Sequence, residues 1–225
     1  YNVAVGYAAG LSVTTGTLNV LMGGLAGDAL TSGNSNVAIG YLALSADTLG
    51  DRNVAIGTNA LLLQNFTTNT DAFNIAVGAN AGAAVTTGVQ NTIIGALAGD
   101  ALTDADRNIA IGYQALTTDD LGSRTIALGT GAVFSQNYAT ATTSHNIGIG
   151  DLSLFYNVTG VNNTFVGSAA GLGASGNSHS NNTGIGYAAA TAITTGIHNA
   201  IVGATAGDAL TDADYNTVLG SNALS

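Results

Sequence analysis

The residues whose types and spacing suit metal chemistry are aspartates in two equivalent turns. Both turns place oxygen-bearing side chains at alternate positions: Asp104, Asp106 and Asn108 in one, Asp212, Asp214 and Asn216 in the other. This is the order that opens a calcium loop, whose hard oxygen ligands hold the ion. The bidentate Glu that completes such a loop is missing, because the chain has no Glu. Two interpretations stay open. The turns either bind Ca²⁺ weakly, with no other cofactor, or are solvated acidic turns, and the absence of the Glu ligand favours the second.

The histidines and hydroxyl groups offer little for catalysis. His179 stands alone, whereas His145 and His198 each directly precede a repeated Asn. That slot also holds all the arginines, Arg52, Arg107 and Arg124, which indicates a structural place for a long polar side chain. Ser, His and Asp all occur, but no nucleophile motif accompanies them. We therefore expect no enzymatic activity.

Two further motifs can each be interpreted as functional or as incidental to the composition. Thr pairs such as Thr14-Thr15 and Thr86-Thr87 suggest an ice-binding array, but they occur in only some repeats. Four N-x-T sequons permit glycosylation in a secreted context, although such short motifs arise easily in a chain rich in Asn and Thr. These candidates are Asn65, Asn157, Asn162 and Asn181.

An Asn recurs along the whole chain, followed by three mostly apolar residues and a Gly. A column of Asn could bind a ligand, but stacked amides that bond from one coil to the next are the favoured interpretation, because buried polar groups need internal partners. The Asn residues are Asn2, Asn19, Asn36, Asn53, Asn74, Asn91, Asn108, Asn146, Asn163, Asn182, Asn199 and Asn216, with Thr125 in the one remaining copy. The glycines, which suit a sharp bend with positive φ, are Gly6, Gly23, Gly40, Gly57, Gly78, Gly95, Gly112, Gly129, Gly150, Gly167, Gly186, Gly203 and Gly220.

The elements that position these columns follow from the spacing. The anchors are 17 residues apart nine times, 21 twice and 19 once, and a short fixed period predicts a solenoid whose coils stack on one another. With the Asn as position zero, positions one to three read as a strand, and a second short strand is expected near positions five to eight. Positions one and three are branched and apolar, and we expect them to fill the interior. Position two is apolar too, so we expect its face to be covered by a second layer or a neighbouring subunit.

A longer period lies over the first. The segment at 25–31 recurs 72 residues later at 97–103, and the segment at 47–53 resembles that at 119–125. The predicted fold is therefore all-β: one parallel β-solenoid of about thirteen coils of roughly 17 residues. It divides into duplicated super-units at about 1–72, 73–144 and 145–225.

Composition excludes several functions. The formal net charge of −10 argues against a nucleic-acid partner, and no apolar run is long enough to span a membrane. The chain has no Cys, so no disulfide framework exists. Both ends fall inside ordinary repeats without a polar cap, so we expect the chain to continue, either in a longer polypeptide or by head-to-tail stacking into a filament.

The segments Asn36 to Leu44 (NVAIGYLAL) and Asn108 to Leu116 (NIAIGYQAL) carry a resemblance to known families. They resemble the head repeat of YadA-type trimeric autotransporter adhesins and are similar to NTAVGYQAL-like repeats of phage tail fibres. The resemblance implies a β-roll, often homotrimeric, in a fibre on a cell or virion surface. A structural segment of an extracellular fibre or adhesin is thus the expected function. The alternative is a ligand-binding module that binds Ca²⁺, a glycan, a host-surface receptor or ice.

Overall fold

A computed structural model describes all 225 residues, from Tyr1 to Ser225. The chain consists of strands and turns, without a helix. It forms two compact units, Tyr1–Asn108 and Ile109–Ser225.

Each repeat contributes one three-residue strand directly after its anchor residue. In the first unit these strands are β1 (Val3–Val5), β2 (Val20–Met22), β3 (Val37–Ile39), β5 (Val54–Ile56), β7 (Ile75–Val77) and β8 (Thr92–Ile94). In the second unit they are β9 (Ile109–Ile111), β11 (Ile126–Leu128), β13 (Ile147–Ile149), β14 (Thr164–Val166), β15 (Thr183–Ile185), β16 (Ala200–Val202) and β17 (Thr217–Leu219). Four two-residue strands complete the set: β4 (Gly50–Asp51), β6 (Thr70–Asp71), β10 (Gly122–Ser123) and β12 (Thr142–Thr143).

The three-residue strands pair in parallel with the equivalent strands of neighbouring repeats. The order is β1-β2-β3-β5-β7-β8 in the first unit and β9-β11-β13-β14-β15-β16-β17 in the second. The register joins equivalent positions, as between Val37 and Val54 or between Ala38 and Ala55. The predicted parallel β-solenoid of thirteen coils is confirmed.

The two 21-residue repeats add short sheets of their own. β4 pairs with β6, and β10 pairs with β12, both in parallel. These sheets lie where the longer repeats carry four additional residues. In each case two residues of the longer turn form parallel bridges to the preceding coil.

The predicted second strand at positions five to eight is wrong. This segment is a tight turn in which positions six and eight adopt left-handed backbone, as at Leu42 (φ 56°) and Leu44 (φ 54°). Such dihedrals lie far from the extended region that a strand requires. Coil-to-coil bonding persists all the same, because the N–H of Leu44 donates to the carbonyl of Ala60 at 2.9 Å.

The predicted orientation of the strands is also wrong. Position two points into the interior, where Leu21, Ala38 and Ile93 are at most 1% exposed. Positions one and three point outward and stay half-buried or exposed, as at Val54 and Ile56 in β5. The apolar face that the sequence assigned to the interior is therefore the outer face of each unit.

The interior is filled by complementary volumes at positions two and eight. Large residues at position two lie over glycines, and a Cβ on Gly27 would come within 2.8 Å of the Leu21 side chain. In most coils with Ala at position two, such as those of Ala38 and Ala55, position eight supplies a large buried side chain such as Leu44 or Leu61. Ala4 and Ala76 are exceptions, with Gly10 and Gly82 at position eight. Each fully buried large aliphatic side chain contributes about 1.5–3 kcal/mol to folding.

Candidate functional site

The repeated Asn forms a ladder inside the coils. In the Asn36 side chain, Nδ2 donates to the Gly50 carbonyl at 2.8 Å and Oδ1 accepts the backbone N–H of Asn53 at 2.9 Å. Asn19, Asn74 and Asn182 make the equivalent pair of bonds to the following coil. These amides are used up by backbone groups, so none of them presents a free polar atom to a ligand.

The repeated Gly is required by both its backbone and its surroundings. All thirteen copies have φ between 125° and 142°, which is unfavourable for any residue with a Cβ. At Gly40 an added Cβ would lie 2.5 Å from the Gly57 carbonyl oxygen. The column therefore allows successive backbones to stack at close range.

The single departure from the ladder, Thr125, is compensated by a buried polar cluster in the second unit. The Thr125 and Ser144 hydroxyl groups lie 2.6 Å apart. Nε2 of Gln136 donates to Thr125 Oγ1 at 2.8 Å and to Asp119 Oδ2 at 2.5 Å. Oε1 of Gln136 accepts from Asn146 Nδ2 at 2.8 Å, so the cluster reconnects the ladder one coil later.

The first unit holds the counterpart of this cluster 72 residues earlier. Gln64 Nε2 donates to Asp47 Oδ2 at 2.7 Å, and Asn74 Nδ2 donates to Gln64 Oε1 at 2.8 Å. Three positions differ between the two clusters: Asn53, Phe66 and Ala72 in the first correspond to Thr125, Tyr138 and Ser144 in the second. Thr is too short to bridge coils as Asn does, and the added hydroxyl groups of Ser144 and Tyr138 supply new partners. Tyr138 Oη donates to the Gly160 carbonyl at 2.8 Å.

Burial shifts the pKa values of several groups in or near these clusters, including that of Tyr138, which it raises. Burial raises the pKa of the Asp119 carboxyl to about 6, against the opposing effect of its hydrogen bond from Gln136. Burial likewise raises the pKa of Asp47 above its usual range. Burial lowers the pKa of His179 to about 4, and its Nδ1 lies 3.3 Å from Asn163 Oδ1. His179 is thus a neutral core histidine at physiological pH.

Three of the four aspartates in the candidate calcium turns bond to the preceding coil. Oδ1 of Asp106 accepts the backbone N–H of Val89, and Oδ1 of Asp214 accepts that of Ile197, both at 2.8 Å. Asp104 Oδ1 accepts the Thr87 hydroxyl at 2.6 Å, and Asp212 Oδ1 accepts that of the adjacent Thr211 at 3.2 Å. No group of three or more acidic or histidine side chains is placed to hold a metal ion. Hydrogen bonding between neighbouring coils therefore explains why Asp recurs in these turns.

The slot before each anchor residue is a uniform outward column. From Leu18 to Tyr215 its twelve residues are exposed and have φ between 49° and 62°. Arg52 lies over the ring of Phe73, with its Cζ 5.5 Å from the ring centroid, and the rings of His198 and Tyr215 stack at 4.9 Å. Slot residues therefore contact each other from one coil to the next, but Leu18, Ser35 and Phe73 show that the slot is not reserved for long polar side chains.

The Thr pairs and the sequons differ in their surroundings. The first Thr of a pair donates to a carbonyl of the next coil, as from Thr86 to Thr103 at 3.1 Å, so its hydroxyl is not presented as part of a free array. Asn157 is buried and its Nδ2 donates to the Gly160 carbonyl, so the folded chain does not expose this sequon for glycosylation. Asn65, Asn162 and Asn181 are exposed.

The surface as a whole has no pocket, and the chain contains no helix with the length and hydropathy needed to cross a membrane. The most extensive feature that sequence reasoning missed is the outer face of the strands, formed by positions one and three. The complementary sizes at positions two and eight are the signal that could have identified the inward side, and hence this outer one.

Comparison of the chain with protein-family models, with curated proteins and with solved structures found no match.

Proposed function

We propose that this chain is a non-catalytic structural segment of an extracellular fibre or surface adhesin. The observation that carries the proposal is the use of the repeated polar side chains. Asn, Asp and Thr recur because each bonds to the backbone of an adjacent coil, as Asn36, Asp106 and Thr86 do. A chain whose repeated chemistry is devoted to its own stacking suits a load-bearing or spacing role.

The location can be tested with antibodies raised against the purified chain. Immunogold labelling of intact source cells or virions should decorate fibres outside the envelope, and permeabilisation should not increase the signal. Labelling confined to the interior would contradict an extracellular fibre. A second antibody, against a known interior protein, controls for leakage.

The competing function is ligand binding in the turns. Calorimetry with Ca²⁺ and screening against a glycan array should show no binding at micromolar concentrations if the segment is structural. Micromolar Ca²⁺ binding that disappears in Asp104→Ala would favour the ligand-binding function instead. Thr15→Ala, an exposed turn change in another coil, is the matched control.

A further inference from the structure

The outer face of the strands carries an apolar surface without charge. Positions one and three of the thirteen three-residue strands contain Val, Ile, Leu, Met, Ala and Thr, and no Asp, Arg or His. Several of these side chains are well exposed although they lie inside the array, including Met22 at 41%, Ile75 at 38% and Ile185 at 42%. Contiguous apolar surface of this kind marks an interaction site.

We propose that this face binds a second copy of the chain. This proposal rests on the proposed structural function and names its partner. Charge bears on which surface can serve for such a contact. The chain has a net charge of −10, so two copies repel each other wherever their acidic turns meet. The strand face itself carries no charged side chain, and the core of a protein interface is typically depleted of charge.

The area of the face is sufficient for a specific contact. A half-exposed Val or Ile leaves on the order of 50 Å² open, so the twelve or fourteen side chains of one unit offer roughly 600 Å², the upper end for a typical monomer's largest apolar patch. If each unit's face is covered by its counterpart in a second copy, the sum of about 1,200 Å² per copy exceeds the roughly 800 Å² that a standard interface buries.

Tyrosines border this face at position five. Tyr41, Tyr113 and Tyr187 are 54%, 51% and 63% exposed, directly after the Gly that ends the strand segment. Tyr combines a large apolar ring with a hydroxyl group that tolerates water, which is why it is enriched at interfaces. These rings add amphipathic area beside the apolar face in the coils that carry them.

The regular spacing makes the face complementary to itself. Equivalent side chains repeat with the strand separation of about 4.8 Å, so the rows of one copy fit between those of another related by a two-fold axis. A contact of this type is isologous and closes without generating a filament.

The test compares two pairs of substitutions that add the same charge. Ile56→Lys with Ile149→Lys places one lysine on the strand face of each unit, and Leu63→Lys with Thr195→Lys places one on exposed turns of each unit. Light scattering of the native chain at about 10 µM should give twice 22.0 kDa. The face pair should weaken association at least about 100-fold, because each lysine is buried unpaired in the contact. The turn pair should leave the mass unchanged.

Folding and association are kept apart by two further measurements. Circular dichroism must match the native spectrum in both pairs. If the face pair fails to fold, Val54→Thr with Ile147→Thr replaces it, because Thr already occupies position one in β8, β14 and β15. Raising NaCl from 50 to 500 mM should strengthen association by screening the repulsion between copies.

A native chain that stays at 22.0 kDa up to 100 µM, or a folded face pair that associates as the native chain does, would overturn the proposal. Association that weakens with salt would do so too, since it would indicate ion pairs in place of the apolar face. Ligand binding in the turns would refute the structural function while leaving the measured mass as it is, so the two failures are distinguishable.

Discussion

At the scale of single residues, the ladder Asn joins two coils through both ends of its amide. Asn36→Ala would leave the Gly50 carbonyl and the Asn53 N–H buried without these partners. Each such loss costs about 1–3 kcal/mol, so we expect the free energy of unfolding to fall by roughly 2–5 kcal/mol in urea titrations. The control is Thr15→Ala on an exposed turn, which should change stability by less than about 0.5 kcal/mol. Equal losses of unfolding free energy in the two variants would show that the ladder hydrogen bonds do not stabilise the fold.

Two buried groups of the second unit, Asp119 and His179, affect the free energy of unfolding in opposite directions over the same pH range. Asp119, with its pKa raised to about 6, makes the folded state bind more protons than the unfolded state, so its contribution is present below pH 3.8 and lost as pH rises to 6. His179, with its pKa lowered to about 4, contributes stability above pH 6.5 that is lost as pH falls to 4. Asp47 of the first unit also has a raised pKa and lowers stability as pH rises in every variant. Relative to the native chain, Asp119→Asn should therefore shift the slope of stability between pH 4 and 6 upward, and His179→Asn should shift it downward. Thermal unfolding across this range measures both slopes, and parallel slopes in the two variants would contradict the assignment.

At the scale of the strand, the two faces of β5 should respond very differently to substitution. Ala55 is fully buried, so Ala55→Asp places an uncompensated charge in the interior and should cost about 4 kcal/mol or more. Val54 points outward, and Val54→Thr should cost less than about 1 kcal/mol, since Thr suits a half-exposed strand. Denaturant unfolding of dilute protein compares the two. The opposite ranking would restore the orientation expected from the sequence.

The sequence predicted the coils, the strands and the sharp glycine bends, because a strict period and an invariant residue type report directly on stacking. It misplaced the inside of the strand, because Val and Ile at positions one and three look more like core than Ala38 or Ala55. A strand that is apolar on both faces does not reveal its direction by periodicity. The predicted second strand failed for another reason: the left-handed backbone at Leu42 and Leu44 has no signature in residues that normally avoid it.

At the scale of the whole molecule, the 72-residue duplication preserves interactions and not only residues. Asp119, Gln136 and Asn146 keep the bonds of Asp47, Gln64 and Asn74. The changes to Thr125 and Ser144 accompany each other because their hydroxyl groups bond together. Ser144→Ala should consequently lower the free energy of unfolding, because it removes the hydroxyl partner of Thr125. Ala72 is tolerated at the equivalent place in the first unit because the ladder residue there is Asn53.

The net charge of −10 makes the folded chain sensitive to salt as a whole. The acidic turns repel one another in the compact state, and added salt screens this repulsion. We expect the Tm of dilute protein to rise between 10 and 300 mM NaCl. CaCl₂ at the same ionic strength separates screening from a specific site, because an ion bound by the folded state alone adds stability in proportion to RT ln(1 + [L]/Kd). With Asp104 and Asp106 bonded to the preceding coil, the two salts should raise Tm equally. An additional rise in CaCl₂ that is lost in Asp104→Ala would show that the turns bind Ca²⁺.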